Sequence, residues 1–496
     1  MIAIRAIPLV ALLPLLAPVL PAQSNWVRSS PPGSPASRNS GAMVYDSVRA
    51  RTVLFGGFRQ GNPGYLADTW EWDGVTWTQS SPASSPPARN GHAMAYDAAR
   101  GRTVLFGGTA TSALGDTWEW DGTNWTQMSP ATSPQARYNH YLCHDSVRRR
   151  VLLFGGHAGS LNFGDTWEWD GANWTQLAPA TSPAARPYHA LAYDTIRGRA
   201  VLFGGGVLAA QRNDTWEWDG ANWTALAPAV SPPVRHSHSM AYDAARRRTV
   251  LFGGSDEYRN VLSDTWEWDG GNWTAHTPAT SPPASSANAM TYDFARQRTV
   301  LVVSIGSPLF DVWEWDGSNW TLRPTPTGPI PRVHSAMTYD AARERAVLYG
   351  GHSYVSNAVG DTWTWGPLTR ASTQPLGAGC PGSGGPPVLA TNEPFLGNEA
   401  FTLDLLGARA TSACLFGLAR TSQSLSIGGG CTLYLKDTVF PLFAVTNASG
   451  FATIKLSVPL DVSLRGATLY GQAMVVDPAS PVGLAFTAGR TLVLGD

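Results

Sequence analysis

An arginine that recurs along most of the chain is the first residue type whose spacing could serve chemistry. It stands at Arg38, Arg89, Arg137, Arg186, Arg235 and Arg332. A guanidinium group can clamp a carboxylate, a sulfate or a sugar acid through two parallel hydrogen bonds. Because this arginine belongs to a repeat, it could equally tie one part of the fold to its neighbour. The repetition favours this structural role, but ligand binding stays open.

Histidines and tyrosines follow the arginine after a few residues. One histidine position recurs at His92, His140, His189 and His238, and such a cluster could bind a metal. Since it repeats, we expect a structural residue there. Side chains that do not repeat are better candidates for ligand binding, and on this segment they are Tyr138, Tyr188, His236 and His334.

The elements that would position these residues come from one repeated unit. Its best example runs from Arg89 through Thr103-Val104-Leu105-Phe106-Gly107-Gly108 to Asp116-Thr117-Trp118-Glu119-Trp120-Asp121-Gly122. The tryptophan that follows Asp-Thr recurs seven times, counting one variant, at Trp70, Trp118, Trp167, Trp216, Trp266, Trp313 and Trp363. A period of about fifty residues is typical of propeller blades.

Each unit contains four short β-like runs separated by turn residues, which predicts a four-stranded antiparallel blade. Alternation places Trp118 and Trp120 on one face, and the Asp121-Gly122 pair predicts a tight hairpin. The last unit ends without its fourth strand, whereas Asn25-Trp26-Val27 precedes the first complete unit. We therefore predict an all-β, seven-bladed propeller that the N-terminal strand closes.

The double glycine after an apolar strand, followed by a spaced aromatic residue and Asn-Trp, resembles the kelch motif of galactose-oxidase-like and kelch-domain proteins. The resemblance covers roughly residues 24–366, and it implies a kelch-type propeller. Repeat six departs from the pattern at Val303-Ser304, Ser285 and Asn288, so we expect a distorted sixth blade.

Loops that vary between repeats indicate where a ligand would bind. The loops joining strands four to one and two to three share one rim of such a propeller, and they differ from blade to blade. Variable loops on a rigid scaffold commonly carry recognition, and Tyr258 and His352 are candidates here. We predict a binding scaffold whose ligand is a protein, a peptide or a glycan.

An enzyme is the alternative hypothesis. Resemblance to galactose oxidase implies a carbohydrate-active or copper-radical oxidase, in which histidines and tyrosines hold copper and one tyrosine is cross-linked to a cysteine. Cys143 is the one cysteine of the repeats, and it stands where other repeats have Ala95, Ala192 or Ala241, as a small core residue would. We assign no catalytic residue, no metal ligand and no cofactor, and we favour the scaffold.

The chain divides into predicted segments by composition. Residues 1–22 have the early charge, apolar run and small residue of a signal peptide, residues 23–367 form the propeller, residues 368–387 a linker, and residues 388–496 a β-sandwich. This sandwich looks like a C-terminal domain of exported bacterial proteins. We expect a secreted, periplasmic or cell-surface monomer without a transmembrane segment in the mature chain.

Charge and cysteine content complete the expectations. The formal net charge is -1, which does not indicate a nucleic-acid partner. An exported chain can keep a disulfide. We predict a bond between Cys380 and Cys431, because each lies among glycines, whereas Cys414 lies in an apolar run.

Overall fold

A computed structural model describes residues 24–29, 31, 33–60, 64–206, 211–303, 311–323, 328–353, 357–367, 372–380, 382–383, 385–391, 401–428, 431–436, 440–456 and 467–494. The predicted signal peptide, residues 1–22, lies outside these ranges. Two compact units divide the described residues, one from Ser24 to Pro367 and the other from Ser372 to Leu494. Among these residues, no helix is long and apolar enough to cross a membrane.

The strands of the first unit are, in chain order, β1 Ser24–Ser29, β2 Ala42–Asp46, β3 Arg51–Phe55, β4 Thr69–Trp72, β5 Trp77–Ser80, β6 Ala93–Asp97, β7 Arg102–Phe106, β8 Thr117–Trp120, β9 Trp125–Met128, β10 Tyr141–Asp145, β11 Arg150–Phe154, β12 His157–Ala158, β13 Leu161–Asn162, β14 Thr166–Trp169, β15 Trp174–Leu177, β16 Ala190–Asp194, β17 Arg199–Phe203, β18 Thr215–Trp218, β19 Trp223–Leu226, β20 Ser239–Asp243, β21 Arg248–Phe252, β22 Thr265–Trp268, β23 Trp273–His276, β24 Ala289–Asp293, β25 Arg298–Val303, β26 Asp311–Trp315, β27 Trp320–Arg323, β28 Ala336–Asp340, β29 Arg345–Tyr349, β30 His352–Ser353, β31 Asn357–Ala358 and β32 Thr362–Pro367.

Within the described residues these strands form seven four-stranded antiparallel sheets. Six sheets follow chain order, and we number them blades 1 to 6 from β2 onward. Blade 7 has the order β1-β32-β29-β28, and Trp26 of β1 lies opposite Trp365 of β32. The N-terminal strand thus closes the ring, which confirms the predicted seven-bladed β-propeller. Blade 6 also has all four of its strands.

Turn chemistry explains why each repeat folds back on itself. In blade 2 the carboxylate of Asp121 accepts hydrogen bonds from the backbone N–H groups of Thr123 and Asn124. Gly122 completes the turn with a φ of 100°, a conformation that favours glycine. Strand β7 is followed directly by Gly107 and Gly108, which also have positive φ.

Apolar side chains of neighbouring blades make the core. Each of the seven blade interfaces contains one cluster of buried residues, and Trp167 and Trp174 of blade 3, for example, pack on Phe106 of blade 2. The indole N–H of Trp174 also donates to the hydroxyl of Thr117, at 2.8 Å. Blades are therefore held by burial and by specific hydrogen bonds, which fixes the loops at their rims.

The second unit is also all-β in its described part. Its strands are β33 Ser372–Leu376, β34 Val388–Thr391, β35 Phe401–Leu406, β36 Ala413–Ala419, β37 Thr421–Gly428, β38 Cys431–Lys436, β39 Phe440–Val445, β40 Ala452–Leu456, β41 Thr468–Val476, β42 Leu484–Phe486 and β43 Gly489–Val493. The main sheet has the order β33-β43-β41-β36-β39, with β42 on β41, and sheets of three and two strands complete the unit.

Two sequence predictions concern this region. The disulfide between Cys380 and Cys431 is present, as predicted. Within the predicted linker, residues 368–387, Ser372–Leu376 forms a strand that pairs with Gly489–Val493. The sequence of this strand shows no hydrophobic alternation that would have predicted it. Backbone pairing with the neighbouring strand at the edge of the sheet holds it in place.

Candidate functional site

Buried ion pairs hold the six repeated arginines. Arg137 is 0% exposed, and its guanidinium group donates to both carboxylate oxygens of Asp165 at 2.5 and 2.7 Å. It also donates to the carbonyl oxygens of Gly155 and Gln135. The aspartate is always the residue that precedes the third strand of the same blade. The pairs are Arg38–Asp68, Arg89–Asp116, Arg137–Asp165, Arg186–Asp214, Arg235–Asp264 and Arg332–Asp361.

The backbone of the same arginine contacts the preceding blade. The N–H group of Arg137 donates to the carbonyl of Leu114, and its own carbonyl accepts from the N–H group of Gly108, both at 2.9 Å. Burial alone would raise the pKa of Asp165, but the hydrogen bonds and charge of Arg137 outweigh burial and lower it. The arginine thus ties two blades together, a geometry that favours the structural role. Its role in ligand binding stays a prediction.

The repeated histidines lie just below this rim and are buried. The ring of His140 packs edge-on against Phe106 of the preceding blade, with centroids 5.5 Å apart. Burial and the neighbouring charge of Arg89 lower the pKa of His92 to about 3, and burial and Arg186 do the same for His189. These imidazoles are therefore neutral near pH 7. Among the described residues no group of three or more His, Cys, Asp or Glu side chains is placed to hold a metal ion.

A ring of backbone turns, which we call the collar, surrounds the axis above these histidines. The collar residue lies two positions after the repeated arginine, or after Ser285 in blade 6, and has a φ between 52° and 61°. Five of the seven neighbouring pairs of collar residues are joined by a backbone hydrogen bond among the described residues, such as Asn139 N–H to the Gly91 carbonyl at 3.0 Å. The collar consists of Ser40, Gly91, Asn139, Tyr188, Ser237, Ala287 and His334.

Four aromatic rings from three blades lie side by side on the collar, and we call them the aromatic row. The row begins with Tyr138 and His157, whose ring centroids are 4.1 Å apart. It continues to Tyr188 at 5.6 Å from His157, and to His236 at 6.2 Å from Tyr188. The side chain of Tyr188 is 39% exposed, and the other three are half-buried. Neighbouring rings are tilted by 53°, 53° and 50°, so the row is a succession of ring contacts that extends across three blades.

Hydrogen bonds fix both imidazoles of the row. In His157, Nδ1 lies 3.3 Å from the carbonyl oxygen of Gly159, so it carries the proton, and Nε2 accepts from the amide of Asn139 at 3.2 Å. His236 Nδ1 lies 2.9 Å from the hydroxyl of Ser237. Burial lowers the pKa of His236, so the ring of His236 is neutral near pH 7.

Three of the sequence-predicted candidates, Tyr138, Tyr188 and His236, thus come together. His334 and His352 are also near one another, because the residue before His334 forms a β-bridge with His352 in blade 7. Tyr258 is 77% exposed on a loop of blade 5, and among the described residues it makes no ring contact with the row. The ligand-binding roles of all these residues stay predictions.

Sequence analysis left His157 out of the candidate residues. This residue directly follows the double glycine, and in several blades that position forms a bridge with the residue after the repeated arginine, as His157 does with Tyr138. In blade 2 the same bridge joins Asn90 and Thr109, and the collar residue is Gly91. Comparing these two positions across repeats would have pointed to His157.

Comparisons with known proteins do not assign a role to the row. No protein-family model matches the chain, and no curated protein matches it. Any function for the row must therefore be argued from its geometry.

Proposed function

We propose that this chain is a binding protein that acts outside the cytoplasm and holds an extended ligand along the aromatic row. The observation that carries the proposal is the line of four rings supplied by blades 3, 4 and 5. Aromatic side chains give much contact area and lose little conformational entropy on binding. Blade 2, with Asn90, Gly91 and Thr109, has the same backbone without any ring.

The large side chain of Tyr188 supports a role beyond folding, whereas its left-handed backbone is common to all seven collar residues. A left-handed backbone costs a residue other than glycine about 1 kcal/mol or more, and blade 2 has glycine at this position. A bulky tyrosine there is unfavourable for the fold, and its ring is partly exposed. Backbone strain of this kind is often retained where the side chain binds a ligand.

The state of the histidines favours binding over proton transfer. Both nitrogens of His157 already have hydrogen-bond partners, so its ring is held in place as a packing surface. Among the described residues, no carboxylate lies within ion-pair distance of His236, whose Nδ1 contacts Ser237. A base oriented by a third group, which nucleophilic catalysis uses, is not part of this arrangement.

Two features support a site of action outside the cytoplasm. Residues 1–22 have the sequence of a signal peptide, and the bond between Cys380 and Cys431 is of a kind that persists in oxidising compartments.

Arrays of glycans and peptides, probed with the secreted protein and its variants, test the proposal. We expect the parent protein to bind at least one class, and Tyr138→Ala with Tyr188→Gly to abolish that binding. The matched control is Asn90→Ala with Ala287→Gly, which changes the same rim outside the row. Equal binding by the parent and the row variant would refute the proposed site.

A further inference from the structure

From the charges and the spacing of the aromatic row, we infer that the ligand is an uncharged glycan chain whose sugar rings stack along Tyr138, His157, Tyr188 and His236. The inference rests on the proposed binding function and adds the chemical class of the ligand. It depends on four properties of the described residues: the charges beside the row, the free backbone groups, the distance between rings and the neutral polar groups next to them.

Charge argues against an anionic ligand. The repeated arginines of blades 3 to 5, Arg137, Arg186 and Arg235, are each 0% exposed and paired with an aspartate of their own blade. The row itself consists of two phenols and two imidazoles. None of the four rings supplies a fixed positive charge, so a carboxylate or sulfate buried directly against them would lose hydration without a cation among them, which is costly. The exposed Arg212, whose carbonyl accepts from the N–H group of Arg235 at 3.2 Å, lies on the blade 4 loop outside the row.

Charge argues equally against a cationic ligand. The carboxylates beneath this part of the rim, Asp165, Asp214 and Asp264, already accept from an arginine and from a tryptophan N–H group. Two of the four rings are imidazoles, which are poorer partners for a cation than tyrosine or tryptophan and repel it when protonated. An uncharged ligand avoids both costs.

The backbone beside the row is not available to an added peptide strand. Tyr138 and His157 exchange their N–H and carbonyl groups at 3.0 Å in both directions, and His236 and Ser255 do the same at 3.0 and 2.9 Å. Peptides that bind by strand addition rely on such backbone groups for their affinity. Recognition at the row must therefore use side chains.

Ring spacing also favours sugars over peptides. Successive centroids are 4.1, 5.6 and 6.2 Å apart. Same-face side chains of an extended peptide recur about every 6.6 Å, and those of a polyproline helix about every 9 Å. The 4.1 and 5.6 Å spacings are shorter than either peptide repeat, and only the 6.2 Å spacing is close to that of an extended strand. Sugar rings, whose C–H faces can lie on aromatic rings, are not bound to either repeat.

Neutral polar groups beside the rings suit sugar hydroxyls. The phenols of Tyr138 and Tyr188 can both donate and accept, and the amide of Asn139 supplies a carbonyl oxygen next to the N–H group that binds His157. A hydroxyl needs partners of both kinds, and these groups provide them without charge.

Isothermal titration of the secreted protein with three sets of probes tests the class of ligand. The neutral set contains hexasaccharides of glucose, xylose, mannose and N-acetylglucosamine, the anionic set oligogalacturonate and heparin fragments, and the peptide set proline-rich and mixed sequences. We expect a neutral hexasaccharide to bind with an affinity that changes little between low and high salt. We expect Tyr188→Gly to weaken it about tenfold, the loss of roughly one stacked ring, and Ala287→Gly to leave it unchanged.

Failure of the inference and failure of the proposed function give different results. Absence of binding to every neutral hexasaccharide at millimolar concentration overturns the glycan inference. An anionic or peptide probe that binds and is weakened by Tyr188→Gly overturns the ligand class but leaves the row as the binding site. A probe of any class that binds equally well to the parent and to Tyr188→Gly overturns the row itself.

Discussion

Arg137 and Tyr138 are neighbours in the chain, yet one is buried below the rim and the other lies in the aromatic row. The same contrast separates His189, packed against Phe154, from Tyr188 on the collar. Repeated residues of this segment point into the blades and hold them together, whereas residues that do not repeat reach the surface. Repetition around a ring therefore indicates a structural role here, and departure from it indicates a candidate for recognition.

Removing a buried arginine is the most severe test of this contrast. We expect Arg137→Ala to lower the free energy of unfolding by about 3 kcal/mol, because it leaves Asp165 partly buried without its partner. Denaturation in urea measures the change.

Arg150 provides the matched control in the same blade. Its guanidinium group donates to the carbonyl of Arg149, and it forms no ion pair among the described residues. Arg150→Ala should therefore change stability by no more than about 0.5 kcal/mol. Loss of rim binding in a fully stable Arg137→Ala protein would instead make Arg137 a ligand contact.

The loss of stability at acid pH tests whether the repeated histidines are buried structural residues. Their pKa values in the folded protein, about 3 for His92 and His189, lie below the ordinary value of about 6.5. As pH falls below 6.5, these histidines bind protons in the unfolded chain but stay neutral in the folded protein. Stability that is fully present above pH 6.5 is thus lost progressively toward pH 3.

Urea denaturation between pH 6.5 and 4.5 measures this loss, and each such histidine contributes about 1.4 kcal/mol per pH unit. We expect His189→Ser, which copies Ser335 of blade 7, to reduce the slope by that amount. An unchanged slope would show that His189 titrates normally in the folded protein.

Local patterns made most of the propeller predictable. Asp121-Gly122 and its equivalents mark hairpins, Gly107-Gly108 marks the end of a strand, and the missing fourth strand pointed to Asn25-Trp26-Val27. Such signals involve neighbouring residues and occur once per blade, so they can be recognised in the sequence without knowledge of tertiary contacts. Strand Ser372–Leu376 shows the opposite case, because pairing with a distant segment, and not its own polar sequence, makes it a strand.

The candidate site was harder to predict than the fold. The aspartate that pairs with each arginine is itself repeated, yet nothing local shows that residues such as Arg137 and Asp165 meet. His157 joins the row only because its backbone bridges to Tyr138. Which side chains meet on the rim depends on how two loops of one blade pack together. Sequence patterns of single residues do not predict that packing.

Replacing Tyr188 by glycine separates the fold from the function most clearly. Glycine adopts the left-handed backbone freely, so we expect Tyr188→Gly and its control Ala287→Gly to be at least as stable as the parent, by up to about 1 kcal/mol. Thermal denaturation checks both variants. A loss of stability confined to Tyr188→Gly would make the tyrosine a structural residue.

Ligand binding by these two variants tests the central claim most directly. The measurement is a titration of the parent, Tyr188→Gly and Ala287→Gly with the neutral hexasaccharide that binds the parent best. The account predicts folded proteins in all three cases, about tenfold weaker binding for Tyr188→Gly, and parental affinity for Ala287→Gly. Equal affinity in all three would contradict it, because the ligand would then lie away from the aromatic row.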